Sequence, residues 1–124
     1  MKIYYLNILK NKPCNYEAIL QLGLIDVKEN NFSLAKQKFK KLINIDSTKH
    51  EGHINLSNIY VIEGSPKKAK KILKDFLENI DENVEIINAM AINLLNMQEF
   101  NELETHINKY IHKHESYILY YLKG

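Results

Sequence analysis

The chain has 124 residues, with 17 Lys and no Arg against 15 acidic residues, a formal net charge of +2, two Pro and four Gly. That length holds one domain with its own core. So few turn residues exclude an all-β fold, and no apolar run approaches the roughly 20 residues that span a bilayer. Cys14 is the single cysteine, so no internal disulfide is possible and a reducing, cytoplasmic setting is expected. It sits beside Pro13 with no neighbouring motif to activate it, and reads as an inert thiol. Without Arg, planar bidentate recognition of phosphate or carboxylate is closed to this surface.

In chain order, the opening Met1–Lys10 has a basic residue followed by an apolar stretch. Asn7 breaks that stretch and no small-residue cleavage site follows, so it is not read as a signal peptide. Residues 2–13 are expected to be a helix stopped by Pro13. Within 16–29, Ile19, Leu22 and Ile25 recur at three-residue steps, with Leu20, Leu24 and Val27 on a second face, which predicts a helix. Gly23 in mid-helix costs about 1 kcal/mol relative to Ala, and a helix keeps such a residue where another helix comes close. Asn30-Asn31 punctuates, and Ser33 is a candidate cap for a second helix bearing Leu34, Phe39, Leu42 and Ile43. Gly64-Ser65-Pro66 repeats this punctuation in the following unit, with Pro tolerated at a helix start. Residues 117–124 open a further helix, Tyr117-Ile118-Leu119-Tyr120-Tyr121-Leu122, too apolar for a solvated cap. This run packs back on the third unit, meets another chain, or marks a slice of a longer protein, and the slice or the contact is the expectation.

A period of 34 residues orders these elements. Ala35 and Ala69 are one step apart. Gly23, Ser57 and Ala91 form a column of small residues, and Leu22, Leu56 and Met90 an apolar one. Phe32, Pro66 and Phe100 keep the step, as do Phe39, Leu73 and Ile107, and Leu42, Phe76 and Tyr110.

Step and residue types together resemble the tetratricopeptide repeat (TPR), with units 16–49, 50–83 and 84–117. The third is weaker, carrying Leu103 where Ala is usual; Asp26 replaces the usual Tyr and His53 a large apolar residue. The resemblance implies an all-α fold: a right-handed superhelical stack of antiparallel helix hairpins, an α-solenoid. It also implies a concave groove lined by the first helix of each unit. Carried over by position, that groove takes Glu17, Leu20, Gln21, Leu24, Val27 and Lys28, then Glu51, Ile54, Asn55, Asn58, Val61 and Ile62, then Glu85, Asn88, Ala89, Ile92, Leu95 and Asn96. The family's clamp for acidic chaperone tails requires Lys, Asn and Arg at set positions. Here Leu20, Leu24, Glu85 and Ala89 stand there, and only Asn55 fits.

Glu17, Glu51 and Glu85 share one column and form an acidic edge, although Glu also simply suits a helix N-terminus. The Asn residues can pair with the backbone of an extended peptide. The expected partner is therefore a neutral or basic protein segment. Residues 1–74 carry 14 Lys and 6 acidic residues (+8) and residues 75–124 carry 3 and 9 (−6). The Lys-rich second helices read as a solvated convex face; without Arg or interleaved aromatics they do not suggest nucleic acid. His50 with His53, and His112 with His114, lack the spacing of a metal site. No nucleophile motif, P-loop or dinucleotide fingerprint is present, and no cofactor is implied. The expected role is an interaction scaffold rather than an enzyme. The alternatives are a docking arm of a larger transferase or pilus-type assembly, or self-association through the terminal helices.

Overall fold

The computed structural model describes residues 1–114 and 116–124. Among the described residues there are eight helices and no strand: α1 (Lys2–Asn11), α2 (Tyr16–Lys28), α3 (Phe32–Ile45), α4 (His50–Ile62), α5 (Pro66–Asn79), α6 (Val84–Asn96), α7 (Phe100–Tyr110) and α8 (Tyr117–Lys123). Helices α2, α4 and α6 begin 34 residues apart, and so do α3, α5 and α7. Each helix packs on the next in sequence, while α4 also touches α2 and α6. Hairpins therefore stack with their first helices side by side, as an all-α solenoid. No described helix is long and apolar enough to cross a membrane.

The period reaches the backbone. Asn30, Gly64 and Gln98 all adopt left-handed conformations, with φ of 62°, 80° and 59°. At each, the following amide reaches back to a carbonyl of the first helix: Asn31 N–H to Asp26 O (2.7 Å), Ser65 N–H to Tyr60 O (2.7 Å) and Glu99 N–H to Leu94 O (3.0 Å). These are Schellman turns, which satisfy carbonyls that a helix end leaves open. The Asn15 and Asn83 side chains accept from Ala18 N–H and Ile86 N–H and cap α2 and α6. Ser33 does not serve as the cap of α3: that helix begins at Phe32, with Asn31 before it and no side-chain cap bond.

Two apolar clusters form the interior. One gathers Ile19, Leu20, Phe39, Leu42, Leu56 and Ile59; the other gathers Leu73, Phe76, Ile87, Met90, Leu94 and Ile107. Gly23 marks a close helix approach, since a Cβ added there would lie 2.7 Å from the Phe39 ring. In the next two units the same pair of columns holds Ser57 with Leu73 and Ala91 with Ile107.

Both departures from the repeat pattern find partners. Asp26 is buried and forms an ion pair with Lys38 of α3, as a buried carboxylate must. His53 packs edge-on against Phe76, ring centroids 4.7 Å apart, and its Nε2 donates to Ser47 O at 2.9 Å. It acts as an aromatic in an apolar column, and burial holds its pKa below the ordinary value. His106, which periodicity alone did not single out, does the same: its Nε2 donates to Ile87 O at 2.9 Å and burial lowers its pKa.

Several second-helix lysines are not simply solvated. Lys36 pairs with Glu63 at 2.8 Å, and Lys70 bridges Glu99 (2.7 Å) and Glu102 (2.6 Å). The C-terminal helix α8 packs on α6 and α7, burying Leu119 completely. Its cap residue Ser116 accepts from Leu119 N–H and donates to Asn88 Oδ1.

Candidate functional site

A cleft of about 350 Å³ opens between α4, α5 and α6, on the side formed by the first helices. Its floor includes Ser57, Ala69 and Leu73. These sit where the first unit has Gly23, Ala35 and the Phe39 ring, so the cleft lies where Leu replaces the larger Phe. Ile54, Val61, Ala89 and Ile92 supply apolar wall. Asn58, Asn88, Asn93 and Asn96 bring amides, and Glu85 is the one ionisable side chain among the lining residues.

Of the groove residues singled out from sequence, Ile54, Asn58, Val61, Glu85, Asn88, Ala89, Ile92 and Asn96 meet in this cleft. The remainder lie elsewhere. Leu24 and Ile62 are surface apolar residues, 38% and 57% exposed, and Lys28 is exposed. Gln21 donates to Glu17 at 2.7 Å along α2. Asn55 donates to the Glu51 backbone carbonyl at 2.9 Å, so one of its two amide hydrogens is held by its own helix. Leu20 requires a correction. It is 7% exposed and belongs to the cluster around Phe39, because the α2 stripe facing α3 and α4 is wider than groove positions alone imply. It is not free to meet a partner.

The three glutamates of the acidic edge differ in their surroundings. Glu17 accepts from Gln21. Glu51 accepts from the Tyr16 hydroxyl at 3.3 Å, and Lys49 lies 4.4 Å over the same tyrosine ring. Burial, reinforced by the Glu51 charge, pushes the Tyr16 pKa up to about 12. Glu85 is exposed and makes no hydrogen bond or ion pair among the described residues.

Asn93 is the residue that sequence reasoning missed. It is 5% exposed; its Nδ2 donates to Pro66 O at 3.3 Å, while its Oδ1 is buried without a partner among the described residues. The Pro66 carbonyl can only accept, so the orientation of this amide is determined. A readable signal did exist: Ile86, Met90 and Asn93 fall on one stripe of α6, where an amide interrupts an apolar face.

The histidines form no joint site. His53 turns into the core, whereas His114 Nε2 lies 3.1 Å from Glu82 and His112 is exposed. Among the described residues no three His, Cys, Asp or Glu side chains gather as metal ligands.

Solved structures share this architecture. A tetratricopeptide repeat protein from Parabacteroides merdae matches with a TM-score of 0.75 at 18% identity, over 96% of this chain and 47% of the other. YrrB, a TPR protein with an unusual peptide-binding site, matches at 0.68 and 14% identity, over 85% and 54%. PilF of Pseudomonas aeruginosa matches at 0.68 and 14%, over 90% and 51%. The fold is that of tetratricopeptide repeat proteins. The chain spans about half the length of each of these three TPR-fold matches. An O-GlcNAc transferase of Thermobaculum terrenum matches at 0.64 and 24% identity over 75% of this chain but only 18% of its own. No protein-family model matches the sequence, and no curated protein does.

Proposed function

We propose that this TPR-fold chain is a protein-interaction scaffold that holds a segment of another protein against its first-helix face. The observation that carries the reading is the α4–α6 cleft, where eight residues from the groove columns meet, four of them apolar wall. Exposed Asn58 and Asn96 carry a donor and an acceptor each, suited to the main chain of an extended segment. Exposed Leu24, Val61, Ile62, Ile92 and Leu95 add apolar contact along the same face. YrrB supports the reading as a protein of this fold with a peptide-binding site.

Selection of a random dodecapeptide library on the immobilised chain tests it. Replacing both Asn58 and Asn96 with Ala changes only exposed side chains and should alter stability by about 0.5 kcal/mol or less. It should weaken the selected peptides about fivefold or more, through loss of two hydrogen-bonding groups. Peptides that bind the double variant undiminished would exclude the groove.

A second reading, that this stack is the docking arm of a larger enzyme or assembly, draws on the partial match to a transferase chain. An open reading frame that continues past Gly124 into a second domain would favour it; a stop codon there would oppose it.

A further inference from the structure

We infer that the α4–α6 cleft is a pocket for one basic side chain, lysine or arginine, of the bound segment; this rests on the groove reading above. Three independent features of the cleft select that chemistry. The first is charge. Among the described residues Glu85 is the only ionisable one lining the cleft and the member of the acidic column that makes no bond, whereas Glu17 and Glu51 are engaged by Gln21 and Tyr16. A carboxylate beside apolar walls attracts a cation more strongly than one in open solvent.

The second feature is Asn93. Asn93 lines the cleft, its Nδ2 donates to Pro66 O, and among the described residues its buried Oδ1 has no partner, so this amide carries an uncompensated acceptor. An unmatched buried acceptor is costly and favours a donor or a positive charge nearby over another acceptor. A carboxylate-bearing or carbonyl-tipped guest is thereby disfavoured, and an ammonium or guanidinium favoured. The third feature is shape. Val61, Ala89 and Ile92 line the cleft with aliphatic surface, which suits the methylene stem of Lys or Arg while its head stays at the polar rim.

The experiment uses the peptides selected on the intact chain. Sequences should converge on Lys or Arg at one position of the register. Changing that residue to Met, which keeps length and apolar stem, should weaken binding. Glu85→Gln should weaken the basic peptide about two- to fivefold, as expected for a solvent-reached ion pair, and leave its Met counterpart unchanged. The difference should shrink at high salt. Glu85 is exposed in the first turn of α6, so the variant loses only a modest favourable interaction with the helix N-terminus and stays folded.

Peptides that respond to the Asn58 and Asn96 changes but show no basic position, or that ignore Glu85→Gln, would overturn the pocket and leave the groove standing. A library that yields no binder, or only binders indifferent to all three residues, would overturn both.

Discussion

Gly23 offers the sharpest test of how the hairpins pack. A Cβ at this position would lie 2.7 Å from Phe39 Cε1 and 3.0 Å from Cζ. Phe39 is completely buried among Ile19, Leu42, Leu56 and Ile59, so the ring has nowhere to go. Gly23→Ala therefore sets two effects against each other. Removing a mid-helix glycine gains about 1 kcal/mol of helix propensity, whereas overpacking a core that cannot yield costs about 1–3 kcal/mol. A contact this short belongs at the upper end of that cost, and the expected outcome is a net loss of about 1–2 kcal/mol. For a chain of this size that is a fall of roughly 3–10 °C in melting temperature.

Combining Gly23→Ala with Phe39→Leu recreates a pairing like that of Ser57 with Leu73 in the second unit and should relieve the clash. Urea unfolding of the wild type, both single variants and the double variant closes a double-mutant cycle. The coupling should favour the double variant by about 1 kcal/mol or more. A Gly23→Ala protein more stable than the wild type, or additive effects within about 0.5 kcal/mol, would refute this picture of the contact.

Two further outcomes follow from the polar groups inside the stack. Lys38→Met strands the Asp26 carboxylate, whose side chain is 7% exposed beside a lysine that is 28% exposed. Breaking a fully buried pair costs about 3–5 kcal/mol; with water reaching Lys38, about 1–3 kcal/mol is expected in urea unfolding, and Asp26→Leu on the same background should recover most of it. A loss under about 0.5 kcal/mol would show that the ion pair does not anchor α2 to α3. As for pH, burial lowers the pKa of His53 and His106 below 6.5. The unfolded chain then binds more protons, so stability is full above about pH 6.5 and declines as pH falls from there toward the lower folded-state values. Melting temperatures between pH 7.5 and pH 5 should fall, and His53→Leu should flatten that slope. A slope unchanged in the variant would exclude His53 as a contributor. The carboxylates held low by hydrogen bonds, Glu82 by His114 and Glu99 by Lys70, act in the same sense but at more acid pH.

Much of the architecture was legible in the order of residues. The 34-residue columns rest on local physics: apolar residues at helical spacing, a small residue where helices meet, and turn residues after the first helix of the first two units. The same signals appear as helices α2 to α7 and as left-handed turns at Asn30 and Gly64. The third turn, Gln98, carries no such signal; its backbone conformation goes with the Schellman bond from Glu99 N–H to Leu94 O. The clamp mismatch, too, needed only the identities of Leu20, Leu24, Glu85 and Ala89.

What tertiary structure alone decided was the company each residue keeps. Periodicity assigns a residue to a face but not to a depth, so Leu20 read as groove and proved to be core, while Asn93, unmarked by the columns, lines the cleft. Asp26 and His53 looked like defects in the pattern until Lys38 and Phe76 arrived from other helices to complete them. The cleft takes its lining from α4, α5 and α6, with Leu73 where the first unit has Phe39, and only the stacked helices bring those residues around one space. Of the three glutamates in one column, only packing could show that Glu17 and Glu51 are engaged while Glu85 makes no bond among the described residues.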